Sequence, residues 1–160
     1  MLSEVITEGQ PSTDAAVLRA LAHWQLEPIV AVDRATSGVM NEIFIVTTPQ
    51  RKVVLRKHRR PDRAQVDFEH AVIRHAIDRH IPTPAAIPSL TGESIVDHEG
   101  TYYSLFEHAR GDQVSHDQLS AAHARSMGSM LARLHNALAT FPVQPSIAPI
   151  GAIDPAAIRN

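Results

Sequence analysis

A single-glycine turn stands out as a place where the chain could approach a ligand closely. The stretch ATSGVMNEIFIV, residues 35–46, places Gly38 between two runs of strand-forming residues, and Asn41 follows three positions later. Such a turn is either an ordinary β-hairpin or a loop whose backbone N–H groups close over a phosphate. The stretch by itself leaves both interpretations open, so the choice depends on the residues that follow it.

Two oppositely charged side chains follow this turn. Arg56 ends a predicted strand that contains Val53, Val54 and Leu55, and Glu69 lies within the next predicted helix. Taken alone, they could form a surface ion pair, which contributes only about 0–1 kcal/mol to stability. The run of basic residues at 56–60 is typical of a solvated strand end, and attraction of a phosphate is the alternative.

The elements that must position these residues follow from the spacing of apolar side chains. One helix is predicted after residues 12–14 and before Pro28, and another over residues 63–79. The predicted strands cover residues 29–34, 43–48, 52–57, 94–97 and 101–107. Helices and strands are partly segregated along the chain, which favours an α+β fold over a doubly wound parallel sheet.

A long helix is predicted near the end of the chain. Ser115 and Gln118 have the spacing of a capping box at its start. Met127, Met130 and Leu134 on this helix are interpreted as core packing. The whole apolar stripe consists of Leu119, Met127, Met130, Leu131, Leu134 and Leu138. Trp24 is interpreted as an anchor for the first helix. The proline-containing residues after Phe141 are expected to be irregular.

Composition excludes several classes of protein. The 160 residues are 44% apolar and 20% charged, with a formal net charge of −2, which is ordinary for a soluble globular protein and argues against nucleic acid as the main partner. Cysteine is absent, so no disulfide or thiolate metal site is expected. The first ten residues lack the features of a secretion signal, and no apolar run approaches the roughly 20 residues that span a bilayer. A cytoplasmic location is the expectation, without a membrane partner.

The order of these parts resembles a known family. The segments SGVMN, KVVLRKH, DFEHAVIRHAIDRHIPTP, YYSLFEHARGD and MGSMLARLHNAL resemble the amino-terminal lobe of the aminoglycoside phosphotransferase and type II homoserine kinase group. These are small-molecule kinases with a protein-kinase-like fold. The resemblance covers residues 29–138. It implies an antiparallel sheet with a helix, followed by the first long helix of a second lobe.

The resemblance also implies roles for individual residues in binding ATP. Ser37, Gly38 and Asn41 correspond to the loop that covers the phosphates. Arg56 takes the position of the strand cation, where lysine is common, and Glu69 that of the helix carboxylate that holds it.

The same resemblance implies a site for the base of the nucleotide. Phe106 would face the adenine pocket. The Glu107 carbonyl and the Ala109 amide would bind the edge of the base. These last two contacts belong to the backbone, so the identity of their side chains tests them poorly.

The sequence departs from the family pattern in two ways. Ser37 stands where the family loop usually has the first of two glycines. In addition, no His-Gly-Asp segment with a downstream Asn follows the long helix, and the only aspartate after Asp117 is Asp154. Phosphoryl transfer needs a base and a metal clamp. The chain alone is therefore predicted to be inactive, without catalytic residues and without ligands for the Mg²⁺ that accompanies ATP.

Three hypotheses remain at this point. The chain is the nucleotide-binding part of a kinase acting on a hydroxyl of an aminoglycoside, homoserine or a similar metabolite. Alternatively, it is a non-catalytic kinase-like module that associates with another chain or with a second copy through its long helix. The third hypothesis is an unrelated α+β domain. The expected domains are a helical extension over 1–28, a kinase-like lobe over 29–111 and the start of a second lobe over 112–160.

The ten histidines are not expected to bind a metal. His70, His75 and His80 are spaced by five residues, which spreads them around a helix. His116 and His123 could share a helix face, but the sequence offers no evident third ligand for a closed site.

Overall fold

The computed structural model describes residues 15–35, 41–59, 62–112 and 114–142. The chain divides into two compact units. The first consists of Met1–Pro61 and Ala86–His108, and the second of Asp62–Ala85 and Ala109–Asn160. The domain bounds expected from the sequence stay a prediction.

A six-stranded antiparallel sheet forms the first unit. Its strands are β1 (Ala31–Arg34), β2 (Asn41–Thr47), β3 (Lys52–His58), β4 (Ala86–Ile87), β5 (Val96–His98) and β6 (Thr101–Glu107). The strand order is β1-β2-β3-β6-β4, and β5 also pairs with β6. This sheet, together with the helices, confirms the α+β class.

The turn between β2 and β3 forms as its sequence predicts. Thr48 donates from its backbone N–H to the Arg51 carbonyl at 2.9 Å, and its hydroxyl donates to the same carbonyl at 3.0 Å. Pro49 lies at the second turn position, where its fixed φ is compatible with the turn. The turn therefore fixes the register in which Thr47 faces Lys52.

The core of the first unit lies on one face of the sheet. Helix α1 (Ala15–Leu21) contributes to this core, and the buried cluster consists of Val17, Ala20, Leu21, Trp24, Phe44, Val46, Val53, Leu55, Val96, Tyr103 and Leu105. Trp24 is buried, and its indole Nε1 donates to the Ile87 carbonyl at 2.9 Å. The predicted anchoring role of Trp24 is confirmed.

The second unit contains helix α2 (Arg63–Asp78), a 3₁₀ turn (His116–Gln118) and helix α3 (Ala121–Leu138). The helices run antiparallel: Arg133 on α3 donates to the His80 carbonyl at 2.9 Å, and the His75 ring on α2 bonds the Ala137 carbonyl at 3.0 Å. The α2 amino terminus is capped by Asp62, whose carboxylate accepts from the Ala64 N–H at 3.1 Å. The cap explains why the helix begins at Arg63.

The predicted start of the long helix is wrong. Ser120, not Ser115, caps α3: its hydroxyl accepts from the His123 N–H, and the His123 ring accepts from the Ser120 N–H at 3.1 Å. This reciprocal pair satisfies two backbone donors that the helix leaves open. Ser115 precedes the 3₁₀ turn, where a hydrogen bond from its side chain lowers the pKa of Asp117 below its usual value.

The interpretation of Met127, Met130 and Leu134 as core packing is correct only in part. Met130 and Leu134 pack against a small cluster of Ala76, Ile81 and Ala137. In contrast, the side chains of Leu119, Met127 and Leu131 are exposed. The first helix ends at Leu21, before Pro28, and the short strand β4 was not predicted from the sequence.

Candidate functional site

The second face of the sheet, opposite the core, carries Arg56. Along β3, Val53 and Leu55 face the core, so the alternating Val54, Arg56 and His58 point to the other side. The register places Arg56 opposite Ile43 on β2 and opposite Ser104 on β6. Directly paired residues share a face. We call the face that carries Arg56, Ser104 and Phe106 the Arg56 face.

The guanidinium of Arg56 lies over an aromatic ring. Its Cζ is 4.8 Å from the centroid of the Phe106 ring, which is within the range of a cation–π interaction. Phe106 lies diagonally across from Arg56, since its direct partner on β3 is Val54. It is only 5% exposed. The structure therefore brings together two residues to which the family resemblance assigned the phosphates and the adenine of one nucleotide.

A buried polar pair lies beside Arg56 and was missed from the sequence. The His58 Nε2 and the Ser104 Oγ are 3.2 Å apart and share a hydrogen bond. The two residues are 4% and 0% exposed. Neither strand has a strict alternation of polar and apolar residues, and the pairing of β3 with β6 that brings His58 and Ser104 together could not be read from the sequence.

The basic run after Leu55 does not form one patch. Lys57 points to the face opposite Arg56, where its Nζ is 3.8 Å from a carboxylate oxygen of Glu42. Arg34 and Arg59 reach the same carboxylate at 3.0 and 4.0 Å. Glu42 thus partly neutralises the charges of Arg34, Lys57 and Arg59. Arg56 lies on the opposite face of β3 from Lys57.

Only part of the predicted phosphate-covering loop lies within the described residues. Ser37 and Gly38 lie outside the described residues. Asn41 is the first residue of β2 and lies opposite His58 of β3. The assignment of these three residues to a phosphate loop stays a prediction.

The predicted helix carboxylate and the strand cation belong to different units. Glu69 is half-buried in α2 of the second unit, whereas Arg56 lies in the first. Their pairing stays a prediction.

Among the residues that the structure describes, no group of three His, Asp or Glu side chains is arranged to hold a metal ion.

The predicted base-binding backbone follows the end of β6. Glu107 is the last residue of that strand, is exposed and lies opposite Val53. Ala109 is exposed and lies outside any helix or strand, at the start of the second unit. Their roles also stay predictions.

In the described parts of the chain, no helix is both long enough and apolar enough to cross a bilayer.

Comparison with known sequences decides which family this site belongs to. The sequence profile of the phosphotransferase enzyme family matches residues 32–150, which include most of β1, strands β2 to β6 and helices α2 and α3. The chain belongs to the phosphotransferase enzyme family. The resemblance stated from the sequence motifs is thereby confirmed, and the hypothesis of an unrelated α+β domain is wrong.

Relatives of the chain within this family include homoserine kinases. The chain is 28% identical over 128 residues to the homoserine kinase of Janthinobacterium sp. (strain Marseille), covering 79% of this chain and 39% of that enzyme. It is 31% identical over 133 residues to the homoserine kinase of Polaromonas naphthalenivorans (strain CJ2), covering 82% and 40%. The chain therefore spans about two fifths of the length of these relatives.

Solved structures of two small-molecule kinases share the fold. An amicoumacin kinase in complex with AMP-PNP, Ca²⁺ and Ami superposes with a TM-score of 0.71 at 15% identity, covering 84% of this chain and 42% of that one. A spectinomycin phosphotransferase in complex with ADP and spectinomycin gives 0.61 at 11% identity, covering 80% and 38%. The predicted kinase-like fold class is confirmed.

Proposed function

We propose that this chain is the nucleotide-binding part of a small-molecule kinase, which transfers the γ-phosphate of ATP to a hydroxyl of homoserine, an aminoglycoside or a similar metabolite. The observation that carries the proposal is the placement of the Arg56 guanidinium over Phe106, within the segment that matches the phosphotransferase family. A fixed cation beside an aromatic ring offers complementary contacts to the two ends of a nucleotide.

The chemistry of phosphoryl transfer explains the use of a strand arginine. Catalysis of this reaction depends mainly on positioning and on neutralising charge on the phosphate oxygens. Arg56 would supply positive charge, and its planar fork can donate two parallel hydrogen bonds to phosphate oxygens. Phe106 and the backbone of Glu107 and Ala109 would hold the adenine. Glu69 would orient Arg56, as the family resemblance implies.

The relatives support a small hydroxyl-bearing acceptor. The similar sequences are homoserine kinases, and the structures of the same fold include kinases for amicoumacin, aminopropanol and spectinomycin. Amicoumacin kinase was solved with an ATP analogue and Ca²⁺, which supports ATP and a divalent cation as cofactors. Magnesium would neutralise phosphate charge during transfer. Its ligands are proposed to lie outside this chain.

The 160-residue chain is expected to bind ATP without transferring its phosphate. It provides the strand cation but no His-Gly-Asp segment that would supply a catalytic base. Titration calorimetry with Mg²⁺ and ATP should show binding, and a coupled assay for ADP should show no turnover with homoserine. Turnover by the purified chain would overturn its predicted inactivity, whereas absent ATP binding would overturn the nucleotide-binding role.

A non-catalytic module that associates with another copy is the second candidate. The second unit has an apolar groove of about 660 Å³, lined by residues of α2 and α3 and the segment after α2. Met127 on α3 also lines this groove although it is 67% exposed, and Leu131 is 52% exposed. Exposed apolar patches on soluble proteins often mark interaction sites.

Association through α3 predicts that Leu131→Glu makes the chain monomeric. The new carboxylate would be costly to bury between two apolar helices. Sedimentation velocity over a concentration series would compare this variant with the unsubstituted chain and with Leu90→Glu, which alters another exposed leucine, in the first unit. A monomeric unsubstituted chain at the highest concentration would rule out self-association.

A further inference from the structure

Arg56 lies between two different contacts on its face of the sheet. On β6, Phe106 and Ser104 are successive residues of this face, and Ser104 is the direct cross-strand partner of Arg56. The guanidinium leans toward Phe106. On the opposite side, His58 follows Arg56 by two residues on the same strand and bonds the Ser104 hydroxyl. The Ser104 hydroxyl is therefore hydrogen-bonded by His58, the residue that follows Arg56 on this face of β3.

The His58–Ser104 bond ties β3 to β6 at the position of Arg56. The two residues are 46 positions apart in the sequence, and both side chains are buried. A buried polar group that loses its partner is costly, so each residue restricts the orientation of the other. Arg56 lies directly opposite Ser104 and two residues before His58 on the same face, so the bonded pair borders the Arg56 side chain.

We infer that His58 and Ser104 are positioning residues, which align the Arg56 guanidinium toward the phosphates of a bound nucleotide. The inference rests on the nucleotide-binding role proposed above for Arg56. His58 and Ser104 act through Arg56 and need not touch the ligand. A well-oriented cation gives up less conformational freedom when it binds a phosphate, so loss of the pair weakens phosphate binding in particular.

Replacing Ser104 with alanine separates this role from a merely structural one. The Ser104→Ala chain is expected to bind ATP about threefold to tenfold more weakly, while its affinity for adenosine is unchanged, because adenosine has no phosphates for Arg56 to meet. Both affinities are measured by titration calorimetry on the full chain. An equal loss for both ligands, or no loss for ATP, would overturn the inference.

Combining Ser104→Ala with Arg56→Met tests whether Ser104 influences ATP affinity through Arg56. If Ser104 acts through Arg56, Ser104→Ala has no further effect on ATP affinity in an Arg56→Met background, since the group being positioned is gone. Independent losses that simply add would contradict the positioning role.

Histidine variants provide a test that does not depend on Ser104. His58→Gln keeps a side-chain amide that can bond the Ser104 hydroxyl, so ATP affinity should stay closer to that of the unsubstituted chain than in His58→Leu, which removes the bond. If the two variants bind ATP equally, the hydrogen bond is not what positions Arg56.

Ser89→Ala is the matched control for the serine substitution. Ser89 is also buried in the first unit, and its hydroxyl bonds that of Thr91 at 2.9 Å. This variant should bind ATP and adenosine normally. Absent ATP binding by the unsubstituted chain would overturn the proposed function and this inference together, whereas normal ATP binding that Ser104→Ala leaves unchanged would overturn this inference alone.

Discussion

Replacing Arg56 with methionine is expected to weaken ATP binding by about tenfold to a hundredfold, because a hydrogen bond to a charged group is worth about 1.5–3 kcal/mol. Methionine retains much of the length of the side chain but has no charge and no N–H donor. Adenosine binding should change by less than about threefold, since the lost group meets only phosphates in the proposed complex. Titration calorimetry with ATP and adenosine measures both effects.

Arg51→Met provides the control for this substitution. It removes the same charge from the same unit, at a turn where the Arg51 Nε lies 3.6 Å from a Glu27 carboxylate oxygen. If loss of charge alone weakened ATP binding, both variants would lose affinity equally. An Arg56→Met chain that binds ATP normally would remove the basis for placing the phosphates on the Arg56 face.

Replacing Leu55 with alanine is expected to lower the free energy of unfolding by about 2–5 kcal/mol, because it leaves a cavity in the sheet core. Leu55 is 0% exposed and lies between Phe44 of β2 and Leu105 of β6. Chemical denaturation can be followed by the fluorescence of Trp24, the only tryptophan, which belongs to the same core cluster.

Leu90→Ala is the matched control for the core substitution. Leu90 is also in the first unit but is 66% exposed, so its truncation should change the free energy of unfolding by no more than about 0.5 kcal/mol. Equal destabilisation by the two variants would mean that the burial of Leu55 does not contribute to stability as the fold requires. Leu55 precedes Arg56 on β3, so the experiment also measures how much core packing stabilises the strand that carries the arginine.

The sequence predicted the elements whose signals are local. The strand at 101–107 and the turn at residues 48–51 were predicted with their observed bounds, because a run of strand-forming residues between glycines and a proline-containing turn are both local signals. The start of α3 was not, because Ser115 and Gln118 match the usual capping-box spacing and were predicted as the cap. Ser120 caps the helix because the His123 ring accepts a hydrogen bond from the Ser120 N–H. The usual capping-box pattern has Glu or Gln at that position, so a histidine does not match it.

The sequence by itself determined that Arg56 and Leu55 point to opposite faces of a strand, because successive side chains alternate in any β-strand. It also carried the motifs that place the chain among the phosphotransferases. Only the tertiary structure decided that β3 lies beside β6, which brings Phe106, Ser104 and His58 around Arg56. Strand neighbours are chosen by burial and hydrogen bonding between segments that are distant in the chain, and a local pattern does not contain that information.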